Sequence, residues 1–354
     1  MPVKIIKVLM VLLSITILTM PLTSYAKTIV IKLGYPDPPA NVYLDKIEQG
    51  ALGTTHAGAV VFKRIVEKRT NGKIKVKLFP SMQLGGEAEM IQSIQEGTLE
   101  ASYTSFSPIS NFVPEVLALN LPYLFKSTGV AYKVLDGPVG DEIKSIVLKK
   151  MGVRILNFGH YGYKCFTNNK KPIKSMDDFK GLKLRVMERP DMVKLVQSLG
   201  AHSTPMAWGE LYTSLQTGVV DGQDNPFSII AGYKLYEVQK YVFVDNHVLG
   251  LISFNINEKL FRSLTPEFRH IIIDAATIGN QAYRGVIDLG TTLAEDFLEK
   301  EGIQIDYPSA ADLNIIQKTA QKAVVPWVRK QVGDAWMDKV LNGVKEAEKA
   351  YYNQ

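Results

Sequence analysis

The chain has 354 residues, of which 46% are hydrophobic, and a formal net charge of +6 at pH 7. This length suits two domains of about 150 residues each, and the ordinary apolar fraction excludes a disordered or fibrous protein. Lysines and arginines are distributed along the sequence without a block of like charge, which argues against a nucleic-acid partner.

The first segment has the pattern of a secretory signal peptide. Lys4 and Lys7 are followed by the apolar run 8–20, and Ser24 and Ala26 supply small residues at a cleavage site. A membrane anchor is the alternative, but the run is shorter than the roughly 20 residues that a spanning helix needs. We expect export and cleavage after Ala26, which removes two lysines and no acid and leaves a net charge of +4.

The first half of the chain alternates strands and helices. Residues 28–33 and 73–79 have the β-branched or alternating pattern of strands. A helix begins near Thr54 and ends at Asn71-Gly72, and a second helix ends at Gly97. This β–α–β–α order predicts a largely parallel α/β lobe.

The same order restarts in the second half, where residues 153–158 and 182–186 read as strands and a helix runs from Pro190 to Gly200. The segments Met90–Glu100 and Leu211–Asp221 also share one plan, which is a helix, a glycine stop and a strand ending in an acid. Two lobes built on one plan are what a clamshell binding protein requires.

The C-terminal part is predicted to be helical. Thr265-Pro266-Glu267 is a helix start with proline at the first helical position. The helical pattern then runs to Gly302 across three internal glycines at which the helix could bend. It resumes at Ala310, and we expect this helical tail to brace both lobes.

The usual signatures of catalysis are missing from the sequence. It contains no phosphate-binding glycine–lysine loop, no dinucleotide-binding glycine motif and no nucleophile elbow. Its five histidines are scattered, and none is paired at metal-ligand spacing. We therefore expect no cofactor, no metal and no enzymatic activity, and a secreted α/β enzyme is the disfavoured alternative.

Arg185 is the strongest candidate for ligand binding. In the segment 181–186, three apolar residues alternate with Lys183 and Arg185, which predicts a strand buried on one face. Ligands of open α/β sheets bind at the C-terminal ends of strands. A guanidinium there can bind a carboxylate through two parallel hydrogen bonds, which lysine cannot do. The alternative is an arginine in a surface ion pair.

Two further residues have polar or aromatic groups in suitable places. Asn225 precedes Pro226 and is therefore held extended, so that its amide either points at a ligand or belongs to a plain turn. Trp208 precedes a helix and is either a core residue or one wall of a pocket.

Eight short blocks occur in order over nearly the whole chain beyond the predicted signal peptide. They are Thr70–Ile74, Pro80–Gly85, Pro114–Glu115, Leu121–Tyr123, Gly181–Arg185, Pro205–Trp208, Val220–Pro226 and Tyr236–Lys240. With these blocks the chain resembles the substrate-binding proteins of tripartite ATP-independent periplasmic (TRAP) transporters, of the dicarboxylate-binding type.

The resemblance implies a two-lobed α/β clamshell in the periplasm, with crossing strands and a long helix that spans both lobes. We place lobe I at residues 27–160 and 248–290, and lobe II at residues 161–247 and 291–354. The implied partners are a small organic acid and the membrane permease subunits of a TRAP transporter. A binding component of another importer or of a sensor is the alternative, and we expect a monomer.

The resemblance also implies site residues. Arg185 corresponds to the arginine that forms a salt bridge with the ligand carboxylate, and Asn225 corresponds to the asparagine that contacts it. Trp208 falls at an aromatic position of the pocket wall, and His247 falls near a polar network on the hinge side.

The first-lobe side and the identity of the ligand are less defined. Ser105 and Pro108 fall where the first lobe of the family faces the ligand. Many relatives have a second arginine in the segment 162–166, where Lys164 is the nearest cation of this chain. Lys164 either supplies a point charge without the guanidinium fork or faces away from the ligand. The stretch 38–57 is longer than usual, so this wall is particular to the chain. A sugar acid, a short dicarboxylate and an aromatic acid all stay open as ligands.

Overall fold

A mixed sheet, with nine strands among the residues that the structure describes, forms the framework of the protein. The computed structural model describes residues 28–40 and 53–353, so the predicted signal peptide and most of the long stretch 38–57 lie outside the described residues. The strands are β1 Ile29–Gly34, β2 Ile74–Phe79, β3 Ala101–Ser105, β4 Val153–Asn168, β5 Lys183–Val186, β6 His202–Pro205, β7 Gly222–Asn225, β8 Tyr241–Asn257 and β9 Gln304–Asp306.

Helices surround the sheet and form the C-terminal part. The α-helices are α1 Thr54–Arg69, α2 Glu87–Glu96, α3 Thr128–Leu135, α4 Pro138–Met151, α5 Pro190–Ser198, α6 Leu211–Gln216, α7 Phe227–Gly232, α8 Glu258–Ser263, α9 Pro266–Lys300, α10 Ala310–Val332 and α11 Asp334–Tyr352. Short 3₁₀ helices occupy Ser107–Asn111, Pro114–Asn120, Met176–Phe179, Trp208–Glu210 and Leu235–Glu237.

The sheet has two parallel groups of strands on either side of a long antiparallel pair. Its order is β2-β1-β3-β8-β4-β7-β5-β6, with β9 paired to β8. Strand β1 pairs in parallel with β2 and β3, and β5 pairs in parallel with β6 and β7. Strands β4 and β8 lie between the two groups and connect them. This arrangement confirms the predicted two-lobed α/β fold.

The connecting strand β4 is much longer than the sequence pattern indicates. The prediction ended it at Phe158, whereas the strand continues to Asn168. Its second half contains the buried polar residues His160 and Lys164, and its pairing with β8 shifts register at three points. A strand that is buried on both faces and interrupted by bulges does not alternate between polar and apolar residues, and its pattern was therefore misread.

The two lobes repeat one local plan, as predicted from the segments 90–100 and 211–221. The Glu100 carboxylate accepts a hydrogen bond from the backbone N–H of Lys32 in β1, at 2.9 Å. The Asp221 carboxylate accepts the equivalent bond from Lys183 in β5, also at 2.9 Å. Both acids precede β3 and β7 rather than ending them, which corrects the prediction. Their role is to join neighbouring parallel strands at the points where β3 and β7 begin.

Helix α9 is continuous over 35 residues and packs against α1, β4 and α7, which belong to both halves of the sheet. At Gly279 an added Cβ atom would lie 2.7 Å from the carbonyl oxygen of Gly58 in α1, so this glycine permits close packing of the two helices. Helix α10 packs against α5, and α11 packs against α3 and α4. Within residues 28–40 and 53–353, no helix is long and apolar enough to cross a membrane.

Candidate functional site

A cavity lies between the two parallel strand groups, at the ends of β3 and β7. We call it the inner pocket, and it encloses about 560 Å³ of space between atoms, including its opening. Its polar lining comes from both halves of the sheet and includes Asp37, Glu87, Ser105, Tyr161, Arg185 and Asn225. A second space, the outer cleft, adjoins it and shares Glu87, Arg185, Met187 and Trp208 with it.

The structure brings four of the predicted site residues together in the inner pocket, namely Arg185, Asn225, Trp208 and Ser105. Ser105 and Asn225 are the last residues of the equivalent strands β3 and β7. Pro108 lines the outer cleft instead.

Arg185 is held in one orientation by the protein. Its Nε and Nη2 atoms both donate to the carbonyl oxygen of Met206, at 3.0 and 2.8 Å. A guanidinium has five N–H donors, so three remain, and two of these lie on the edge formed by Nη1 and Nη2. That edge can bind a carboxylate through two parallel hydrogen bonds. The guanidinium is therefore oriented before any ligand arrives.

The charge of Arg185 is buried and has no carboxylate partner among the described residues. Its side chain is only 2% exposed, although it extends from a strand whose other cation, Lys183, is exposed. Burial lowers its pKa, and the nearby Asp224, Tyr161 and Glu87 partly offset this, but an arginine stays protonated in proteins. Burying a cation without a partner is costly, so the position favours an anionic ligand.

Trp208 is part of the wall beside this cation. Its ring centroid lies 5.8 Å from the Arg185 guanidinium carbon, within the range of a cation–π contact. The ring also packs edge-on against Tyr233, with 4.9 Å between centroids. Trp208 is half-buried and lines both the inner pocket and the outer cleft. The indole is thus a wall shared by the inner pocket and the outer cleft, next to the cation.

Asn225 is fixed by a chain of buried polar side chains. Its amide nitrogen donates to Gln223 Oε1, and Gln223 Nε2 donates to Thr167 Oγ1 at 3.0 Å. Thr167 in turn donates to Gln239 Oε1 at 2.6 Å. Because its amide nitrogen is held in this way, Asn225 keeps one orientation at the pocket wall. Its own Oδ1 and second N–H have no protein partner among the described residues.

Lys164 and His247 lie behind the inner pocket in a buried charged cluster. Lys164 Nζ is 2.8 Å from Asp224 Oδ2, and the two side chains are 3% and 0% exposed. His247 Nε2 lies 3.5 Å from the same oxygen, and its Nδ1 lies 2.8 Å from Asp245 Oδ1. The positive charges of Lys164 and protonated His247 therefore compensate the negative charges of two aspartates, Asp224 and Asp245. Neither Lys164 nor His247 is part of the pocket lining that the structure describes.

The cluster fixes the charge states of its members. Burial alone would raise the pKa of Asp224, but Lys164 and His247 hold it well below its usual range. Burial alone would lower the pKa of His247, but Asp245 and Asp224 raise it to about 9. His247 is therefore protonated at neutral pH, and its ring stacks on Phe166 with 4.2 Å between centroids.

Glu87 is a pocket residue that sequence reasoning missed. It is the first residue of α2, and its Oε1 accepts a hydrogen bond from the backbone N–H of Ser105 at 2.6 Å. Burial raises its pKa. The available signal was its position after Gly85-Gly86, at a helix start in one of the family-like regions. Because the predicted ligand is an anion, the sequence pattern did not indicate an acid in its pocket.

Asp37 and Tyr233 were also missed, and they join the two sides of the pocket. The Tyr233 hydroxyl at the end of α7 donates to Asp37 Oδ1 at 2.6 Å. The other oxygen of Asp37 accepts from Thr54 Oγ1 at 2.5 Å and from the N–H of Thr55 at 3.1 Å. Asp37 lies in the proline-rich loop after β1, where the sequence pattern indicated a turn and nothing more.

No metal centre accompanies the pocket in the part of the chain that is described, since no group of three or more His, Cys, Asp or Glu residues is arranged to hold an ion there. The single cysteine, Cys165, is buried, and burial raises its pKa well above its usual range. It is therefore a packed thiol rather than a nucleophile.

Comparisons with known proteins agree with the fold. Residues 48–331 match the family described as bacterial extracellular solute-binding protein, family 7. The 2,3-diketo-L-gulonate-binding periplasmic protein of Escherichia coli is 30% identical over 296 residues, which cover 84% of this chain and 87% of that protein.

Solved structures of binding proteins superpose over most of the chain. A sugar-acid-binding protein of Advenella mimigardefordensis in complex with galactonate has a TM-score of 0.83 and 31% identity, and it covers 91% of this chain and 99% of its own. A TRAP periplasmic solute-binding protein of Sulfurospirillum deleyianum with bound succinate has a TM-score of 0.80 and 28% identity, covering 88% and 98%. These matches confirm the predicted family and a binding protein rather than an enzyme.

Proposed function

Because this chain belongs to family 7 of the bacterial extracellular solute-binding proteins, the substrate-binding proteins of TRAP transporters, we propose that it captures a small organic acid in the inner pocket. It then delivers the acid to the membrane permease subunits of such a transporter. The observation that carries the proposal is the buried Arg185, whose guanidinium has no carboxylate partner among the described residues and an unused edge for one.

Each of the site residues predicted from the sequence, Pro108 apart, has a role in this proposal. Arg185 binds the ligand carboxylate, Asn225 contacts the same group from β7, and Ser105 approaches the ligand from the other lobe. Trp208 excludes water, so that the charge-assisted hydrogen bonds form where the dielectric constant is low. Lys164 and His247 act from behind the pocket, where they hold Asp224, the neighbour of Asn225 in β7.

The pocket has walls from both lobes, so we propose that ligand stabilises their closed arrangement. We place the lobes at residues 27–160 with 248–290 and at residues 161–247 with 291–354. Only the closed arrangement lets a single ligand contact both, which shifts the population toward it. The long strands β4 and β8 cross between the lobes and are the natural place for the hinge.

The test is a ligand screen on the mature protein from Lys27 onward, unfolded and refolded to remove any acid it carries. Thermal unfolding is then measured against sugar acids, short dicarboxylates and aromatic acids. At a ligand concentration about 100 times Kd, binding adds roughly 2.7 kcal/mol to the free energy of unfolding. A class of acids should produce this shift and be recovered unchanged. No shift with any acid, and no acid in the protein purified without refolding, would refute the proposal.

Export is proposed from the N-terminal sequence. Cleavage after Ala26 leaves Lys27 as the first residue of the protein in the periplasmic fraction. N-terminal sequencing of that fraction checks this directly, and a periplasmic protein that retains Met1 contradicts the proposed cleavage.

A further inference from the structure

A row of lysines lies on the outermost strand of the first lobe. Strand β2 is an edge strand of the sheet, and its apolar residues Ile74 and Val76 are buried on one face. Lys75 and Lys77 point to the other face and are exposed. Lys73 directly precedes the strand, is exposed, and continues the pairing with β1 through its carbonyl oxygen. We call these three lysines the lysine row, and it is roughly 13 Å long.

The face that carries the lysine row is open to solvent. On the opposite face, Val76 of β2 and Ile31 of β1 belong to a buried core with Phe62 of α1. Helix α2 packs against β3 and β8, which lie further into the sheet. On β1 the residue opposite Lys75 is Val30, which is 38% exposed. The lysine row is therefore accessible to a partner.

The charges of the lysine row are not neutralised by any carboxylate of the described chain. The neighbouring cation Lys32 lies 3.7 Å from Glu100. Glu67, the acid that precedes the row in the sequence, lies 3.9 Å from Lys63 and accepts a hydrogen bond from the N–H of Val76 at 3.1 Å. Both acids therefore have other partners, and the three ammonium groups of the row stay free for an anionic surface.

The row is unfavourable for the sheet itself. Lys77 lies opposite Lys32 in the pairing of β2 with β1, and neighbouring strands are only about 4.8 Å apart, so these two cations repel each other. Lysines on an edge strand can serve to prevent pairing with another chain. However, the edge strand of the second lobe, β6 His202–Pro205, contains no lysine or arginine. Protection of the edge therefore does not by itself require three lysines.

We propose that the lysine row docks the protein onto an anionic lipid surface, that of the membrane to which it delivers its ligand. A lysine ammonium is a compact, hydrated point charge on a flexible stem, which suits a layer of negatively charged headgroups. Protein–protein interfaces are instead rich in aromatic residues, methionine and arginine and poor in lysine. The inference adds a membrane-facing surface to the proposed function and does not depend on which acid is bound.

Vesicle co-sedimentation tests the inference on the protein from Lys27 onward. The lysine-row variant combines Lys73→Gln, Lys75→Gln and Lys77→Gln. The matched control makes the same change at three exposed lysines of α10, namely Lys318, Lys322 and Lys330. Vesicles contain either phosphatidylcholine alone or equal parts of phosphatidylglycerol and phosphatidylcholine. Binding is measured at low salt and at about 0.15 M ionic strength, where charges are screened beyond about 8 Å. Unfolding midpoints confirm that both variants are folded.

We expect wild type to bind the anionic vesicles, more weakly at the higher salt, and not to bind phosphatidylcholine. Each lysine near an anionic leaflet contributes about fivefold, so the lysine-row variant should bind about 100-fold more weakly. The control should stay within about threefold of wild type.

Three results would overturn the inference. If wild type does not bind anionic vesicles at low salt, the lysines only protect the sheet edge. Equal losses in the two triple variants would mean that overall charge, and not this face, attracts the membrane. Binding to purified permease in detergent that requires the row, without binding to vesicles, would assign the face to a protein partner. Thermal shifts with organic acids are measured separately, so failure of the proposed function is distinguishable from each of these results.

Discussion

Replacement of Lys164 by methionine tests whether the cluster behind the pocket is a structural unit. Methionine has a similar length and no charge, so the change removes the cation from a pair in which Nζ and Asp224 Oδ2 are 2.8 Å apart and both side chains are buried. Removal of one partner of a buried ion pair costs about 3–5 kcal/mol, because the other charge is left uncompensated.

The position of His247 decides where in that range the value falls. His247 lies 3.5 Å from the same Asp224 oxygen and keeps its proton at neutral pH because its pKa is raised to about 9. In Lys164→Met, His247 therefore still compensates part of the negative charge of Asp224. We expect this variant to lower the free energy of unfolding by about 3 kcal/mol. Asp224→Asn leaves two cations with less compensation, so it should cost about 5 kcal/mol.

Urea unfolding at pH 7 measures all three variants in a double-mutant cycle. The double variant Lys164→Met with Asp224→Asn leaves no unpaired acid and keeps His247 with Asp245 at 2.8 Å. Its cost should be at least about 2 kcal/mol below the sum of the single changes. A cost for Lys164→Met below about 1 kcal/mol, or simple additivity, would show that the cluster is not the unit described above.

Three further changes have defined outcomes. His247→Gln should flatten the loss of stability between pH 7 and 9.5. The raised pKa of His247, about 9, contributes stability that is complete below pH 6.5 and disappears as pH rises through 9; equal pH slopes for variant and wild type in urea unfolding would contradict this. Tyr233→Phe removes the donor to Asp37 and should lower the free energy of unfolding by about 1.5 kcal/mol in ligand-free thermal unfolding. A loss of less than about 0.5 kcal/mol would show that this hydrogen bond does not form. Gly250→Ala would place a Cβ atom 2.3 Å from the Tyr161 ring and should cost about 1–3 kcal/mol and weaken ligand binding; unchanged stability and affinity would mean that the ring moves freely.

Much of the fold could be predicted because local patterns and tertiary burial agree. Strand β2 alternates strictly and is buried on one face, and α9 begins at a threonine cap followed by proline, so both were recognised. Strand β4 was cut short because its polar residues are buried on both sides of the sheet. The alternation of polar and apolar residues reflects which side chains are exposed. It does not reveal a strand whose polar side chains are buried and hydrogen-bonded inside the protein.

The sequence indicated only those pocket residues whose side-chain type by itself suggests anion binding. Arg185, Asn225 and Trp208 stood out because a strand-end guanidinium, an amide before proline and an indole have clear uses in binding an anion. The pocket acid Glu87 did not, because its role depends on which strand ends face each other across the sheet. The sequence also could not indicate that Lys164 is neutralised by Asp224, which lies 60 residues further along the chain.

The central claim is that Arg185 binds the ligand carboxylate, and isothermal titration of the best acid from the screen against Arg185→Ala tests it directly. The control is Lys183→Ala, which removes the neighbouring, exposed cation of the same strand. We expect Arg185→Ala to lose at least about 100-fold in affinity, or about 2.7 kcal/mol, while remaining folded, and Lys183→Ala to stay within about threefold of wild type. An Arg185→Ala variant that binds like wild type, or an equal loss in Lys183→Ala, would contradict the claim.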